Sequence, residues 1–177
     1  MNENSQTRPP RNTEPEARGD ETAGPAEAGA GVETQDAPAA ATFADLDERL
    51  RASLRAASDK KAVESVVLDL RRVASFTDFF IITSGTNVRQ VQAIADEVVE
   101  RLKENGERAL RVEGYNAAEW VLIDYGDFIV HVFEDNARRF YDLERLWRDA
   151  ARVELPDEFR GAPRESDEGR SSLRRER

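Results

Sequence analysis

Residues 119–147 constrain this chain most, because they read without a gap as strand, turn, strand and helix. The runs 119–125 (EWVLIDY) and 128–133 (FIVHVF) are rich in aromatic and branched side chains, and Gly126 and Asp127 separate them. Strand-forming runs on either side of a Gly/Asp break predict a tight β-hairpin. Glu134, Asp135 and Asn136 then offer side-chain oxygens to cap a helix over 137–153. At about 100° per residue, Phe140, Leu143, Leu146 and Trp147 form one apolar stripe, expected to meet the sheet. Arg138, Tyr141, Arg145 and Arg148 lie on its flank. Aromatic rings beside arginines have the composition of a protein-binding surface rather than of a catalytic pocket. Composition alone favours the simpler reading, in which Trp120 and Trp147 are core aromatics.

The hairpin needs partners, and the preceding residues supply them. Phe43, Leu46, Leu50 and Leu54 recur at helical spacing, so a first helix is expected over 42–58, with Thr42 to Asp45 as a capping-box variant. Residues 63–70 read as a buried strand through Val66, Val67 and Leu68, and 78–83 as a second. Val88, Val91, Ala95, Val98 and Leu102 mark a long amphipathic helix, which Asn105 and Gly106 should stop. A short strand over 108–112 leads into the hairpin. This order predicts a single compact α/β domain over 42–155, with a mixed five-stranded sheet flanked by helices. The long helix should cross over to a parallel neighbour.

The flanks differ in composition. Residues 1–41 are Pro, Gly, Ala, Glu and Thr with almost no large apolar side chain, and are expected to be a disordered acidic leader. Residues 156–177 read as a disordered charged tail. Residues 1–42 hold eight acids against three arginines and 156–177 hold six of each sign, so the middle carries about half of the net charge of −10. A domain of that sign is repelled by a phosphate backbone, which argues against direct DNA binding and for a basic protein partner. The absence of cysteine excludes disulfides, a thiol nucleophile and zinc–thiolate sites. No run approaches the roughly 20 apolar residues of a membrane span, so a cytoplasmic location is expected.

Candidates for chemistry are few. Ser84, Gly85, Thr86 and Asn87 lie between a strand and a helix but lack the glycine spacing and the lysine of a phosphate loop. Thr86 or Asn87 as a helix cap accounts for them. His131 is the only histidine and sits in mid-strand, which predicts a half-buried, hydrogen-bonded side chain rather than a base or a ligand. Asp124 and Asp127 flank the hairpin turn at a spacing of three, whereas a metal-binding pair on one strand face is spaced by two. No catalytic site, metal or cofactor is expected.

Taken together, residues 75–91, 112–127, 130–133 and 138–147 closely resemble the Iojap family, the bacterial ribosomal silencing factors (RsfS). The likeness runs in unbroken order over about 43–155. The resemblance implies a nucleotidyltransferase-like α/β fold without catalysis. It also implies binding to the large ribosomal subunit through its ribosomal protein fourteen, which blocks joining of the small subunit and lowers translation when nutrients are scarce. The interface it implies comprises Trp120, His131, Arg139, Tyr141, Leu143 and Glu144. In that interface Trp120 would be the anchor, Tyr141 and Leu143 its apolar neighbours, and Arg139 and Glu144 the charges that set register. Two other readings are a nucleotidyltransferase-like enzyme using Ser84, Gly85, Asp124 and Asp127, and a module whose aromatic face makes a homodimer.

Overall fold

The two most apolar runs of the chain lie side by side at the centre of a sheet. They are β2 (Phe79–Gly85) and β5 (Phe128–Glu134), and they pair in parallel from Phe79 opposite Phe128 to Gly85 opposite Glu134. A computed structural model of the chain describes residues 39–162. Outward from this centre come β4 (Trp120–Asp124) and β3 (Arg111–Glu113) on one side, β1 (Val63–Asp69) and β6 (Ala151–Val153) on the other. The order is β3-β4-β5-β2-β1-β6, and every pair other than β2/β5 is antiparallel. The sheet therefore has six strands rather than the expected five, because residues 151–153, assigned to the end of the last helix, instead pair with β1.

The helices that cover one face begin and end where the side chains dictate. α1 (Glu48–Asp59) starts later than expected, because Asp47 accepts from the N–H groups of Arg49 and Leu50 and fixes the first turn there. Phe43 instead opens a short 3-10 turn, Phe43–Asp45. α2 (Val88–Glu104) is capped by Asn87, whose side chain accepts from the Gln90 N–H, and Gly106 follows it at φ +88°. It buries Val91, Ala95, Val98 and Leu102 as its periodicity predicts, together with Ile94, whereas Val88 stays exposed. α2 crosses to a strand of the same direction, but β3 lies at the far edge of the sheet rather than beside β2.

The end of the domain also departs from expectation. Asp157–Arg160 forms a short helix, α5, and Phe159 packs its ring on Phe43 at 5.3 Å between centroids. The domain thus continues past 155, held by an aromatic contact that a charged composition conceals. At the other end Ala41 is buried and its N–H donates to Asp69 Oδ2 at 2.9 Å. The expected disorder of the rest of the leader and tail falls on residues outside those described. Phe159→Ala is expected to cost about 3 kcal/mol of unfolding free energy, measured by urea melts, because a buried ring leaves a cavity.

Candidate protein-binding face

The alternation of strand side chains sends Trp120, Leu122 and Asp124 of β4 to one face of the sheet, with Ile129, His131 and Phe133 of β5 and Phe80 and Ile82 of β2. The opposite face is sealed by α1, α2 and α5. Among the described residues this one is covered by α3 (Asp135–Tyr141), α4 (Leu143–Leu146) with the turn through Trp147 and Ala150 that follows it, and the loop before β2. A groove of about 500 Å³ remains open, with Phe80, Leu122, Ile129 and Trp147 among its walls. Rings run along it in contact. Tyr141 lies 4.8 Å from Trp120, Trp120 stacks on Phe133 at 4.9 Å, His131 meets Phe80 edge-on at 4.5 Å, and Phe80 meets Trp147 at 5.7 Å.

The rim of this face is apolar and wet. Phe140 is 81% exposed, Leu146 71% and Tyr141 49%, while Phe76 and Leu110 stand exposed at the other end of the groove. Phe140 and Leu146 were expected to point into the sheet, and they do not. The reason is that the last helix is broken at Asp142, which adopts a left-handed conformation (φ 43°) and ends α3. A straight helix would put residues six apart about 240° around its axis. The break turns α4 so that Leu143 and Glu144 come back toward the sheet.

Glu144 returns to meet Arg138, the side chain that sequence reasoning placed on a wet flank. Arg138 is fully buried. Its Nε and Nη2 donate to Glu144 Oε1 at 3.0 and 2.6 Å, and its Nη1 donates to the Glu64 carbonyl at 2.8 Å and to Ser84 Oγ at 3.0 Å. Glu144 is therefore the internal partner of a buried arginine. Leu143 is buried beneath the same turn. Arg139 is exposed and donates to Asn136 Oδ1 at 2.8 Å. Of the six residues the resemblance implied, Tyr141 and Arg139 stand at the surface, Trp120 is half-buried, and His131, Leu143 and Glu144 support them from below.

Trp120 and His131 form one unit. The Trp120 indole N–H donates to His131 Nδ1 at 3.1 Å. An indole nitrogen can only donate, so the neutral imidazole must carry its hydrogen on Nε2. Burial lowers the His131 pKa to about 3. The unfolded side chain titrates near 6.5, so protonation favours the unfolded chain between these values. Stability from this residue is complete above about 6.5 and falls as pH drops through that window, by up to about tenfold in the folding constant per unit. Urea midpoints at about pH 7 and about pH 5 are expected to show this loss, and His131→Gln to reduce it.

The remaining candidates do not assemble into a site. Ser84 Oγ is engaged by Arg138, and Gly85 lies so close to α2 that a Cβ would press on Val91. Asp124 faces the groove and meets Arg111, whereas Asp127 is held by Arg49 of α1. The two carboxylates thus answer to different elements. Among the described residues no group of three or more His, Cys, Asp or Glu could hold a metal, and no helix is long and apolar enough to cross a membrane.

Comparison with known proteins places this geometry among relatives. The model of a family described as "Ribosomal silencing factor during starvation" (RsfS) matches residues 44–177. A ribosomal silencing factor RsfS of Halalkalibacterium halodurans is 46% identical over 61% of this chain and 92% of its own length. One from Bacillus subtilis is 41% identical over 60% and 90%. The chloroplastic protein Iojap of Zea mays is 34% identical over 58% of this chain and 44% of its own length. A crystal structure from Chromobacterium violaceum aligns with a TM-score of 0.56 and 33% identity, over 67% of this chain and 94% of that one. Another, from Bacillus halodurans, aligns at 0.54 with 44% identity, over 60% and 96%.

Proposed function

The chain belongs to the RsfS family of ribosomal silencing factors, and from that premise we propose that it docks on the large ribosomal subunit through ribosomal protein fourteen and keeps the small subunit from joining. The observation that carries this reading is the open aromatic face. Contiguous exposed apolar surface marks an interaction site, and here Phe140, Tyr141 and Leu146 crowd one edge of it. Steric exclusion needs a rigid platform and a few anchors, not a reacting group. Trp120, locked by His131 and Phe133, supplies the platform, and Tyr141 supplies the anchor. Arg139 is the charge that sets register.

Charge supports the partner. A chain of net charge −10 is steered toward basic surfaces, and ribosomal proteins are typically basic. The relatives' names point the same way: a mouse relative, 33% identical over 41% of this chain and 33% of its own length, is named for mitochondrial assembly of the ribosomal large subunit. A second copy covering the same aromatic rim would compete with the ribosome for it. In pelleting assays the protein is expected to sediment saturably with isolated large subunits and to stay in solution with small subunits. Equal sedimentation with already joined ribosomes would contradict the reading, because there the proposed surface is covered.

A further inference from the structure

The groove between the aromatic rim and β3 contains a feature that an apolar partner would not satisfy. Among the described residues that line it, Asp124 is the one carboxylate. The side chain is 19% exposed, and Oδ1 is fixed by the Gly126 N–H at 2.8 Å. Among the described residues Oδ2 meets only Arg111 Nη2, at 3.4 Å. Arg111 is a loose partner: its side chain is 59% exposed and it also reaches Glu113 at 3.3 Å. An ion pair so open to water contributes little. Leu122 lies two residues back along β4, about 7 Å away at the rise of a strand, and Ile129 sits opposite Asp124 on β5. An apolar floor therefore leads up to a half-engaged carboxylate.

This pattern fits a side chain with an aliphatic stem and a cationic head. An apolar residue entering the groove would strip water from Oδ2 without replacing it, and an acidic one would be repelled. Resting on the reading of this face as the ribosome-binding surface, we propose that the groove receives a lysine or arginine side chain of the basic protein partner. The stem lies on Leu122 and Ile129, and the head bonds Asp124 Oδ2 in place of Arg111. Arg111 is then an internal competitor, held on the carboxylate until the partner displaces it.

The test compares variants for binding to isolated large subunits. Asp124→Asn keeps the acceptor for the Gly126 N–H and is expected to weaken binding about tenfold, the loss of one charged hydrogen bond. Arg111→Ala removes the competitor and is expected to tighten binding. Arg108→Ala removes the same charge from an exposed position outside the groove and is expected to change it less. Wild-type affinity in a folded Asp124→Asn, weaker binding by Arg111→Ala, or an equal gain in Arg108→Ala would each overturn the proposal. If Asp124→Asn does not fold, as urea melts would reveal, the two arginine variants decide. Should Tyr141→Ala and Asp124→Asn both bind like wild type, the assignment of the whole face falls. Loss in Tyr141→Ala alone would leave that assignment standing and remove only the cation subsite.

Discussion

Replacing Arg138 by methionine is expected to lower the unfolding free energy by about 3–5 kcal/mol, a large share of what a small domain has. Methionine fills similar space, so the loss is one of partners rather than of packing. Without the guanidinium, Glu144 keeps a carboxylate whose side chain is 13% exposed and loses its ion pair at 2.6 Å. The Glu64 carbonyl and Ser84 Oγ each lose a charged donor. Three elements are untied at once: β1 at its bulge, where Glu64 is held at φ 44°, the end of β2, and α4. Adding Glu144→Gln to Arg138→Met is expected to recover part of the loss, because the buried charge is then gone. Urea melts of the single and double variants measure both steps. A loss below about 1 kcal/mol in the single variant would mean that the pair is not needed to hold α4 on the sheet.

The second large effect is on binding. Tyr141→Ala is expected to weaken association with large subunits by roughly 30-fold, since hot spots are enriched in tyrosine and truncating one typically costs about 2 kcal/mol or more. Its ring is 49% exposed and closes the aromatic row above Trp120, so the urea midpoint should move little. Trp120→Ala should behave differently. Its ring stacks on Phe133 and its N–H is spent on His131, so truncation removes packing and orphans a buried acceptor as well as weakening binding. Comparing the two variants separates the anchor from the platform beneath it.

The hairpin, the long second helix and its cap were legible because one local rule governed each of them. The aromatic and branched run 128–133 is buried on both faces, and the three-and-four spacing from Val91 to Leu102 follows the one face that helix buries. The last helix was not legible for the opposite reason. Phe140, Leu143, Leu146 and Trp147 hold helical spacing, yet Asp142 turns left-handed and sends Phe140 and Leu146 to solvent. What drives that turn is Arg138 in the core, and hydropathy assigns an arginine to the surface. Once Arg138 is buried, Glu144 must follow it inward, and a residue that resembled an interface charge becomes an internal one. β6 was hidden likewise, because three residues beyond the break carry too little pattern to announce a strand. At the candidate site, the family resemblance set Trp120 and Tyr141 side by side, and their rings meet at 4.8 Å. It could not separate side chains that stand at the surface from those, such as His131 and Leu143, that support them.

The proposed docking of the aromatic face sets the protein in competition with the small subunit for the large one. Sucrose-gradient profiles of purified large and small subunits, mixed under joining conditions with increasing amounts of the protein, test it most directly. Joined ribosomes are expected to give way to separate subunits, with the protein in the large-subunit peak, and Tyr141→Ala to shift the required amount upward by roughly the same 30-fold. Joined ribosomes that persist while the protein sits in the large-subunit peak, or a Tyr141→Ala variant as potent as the wild type, would contradict it.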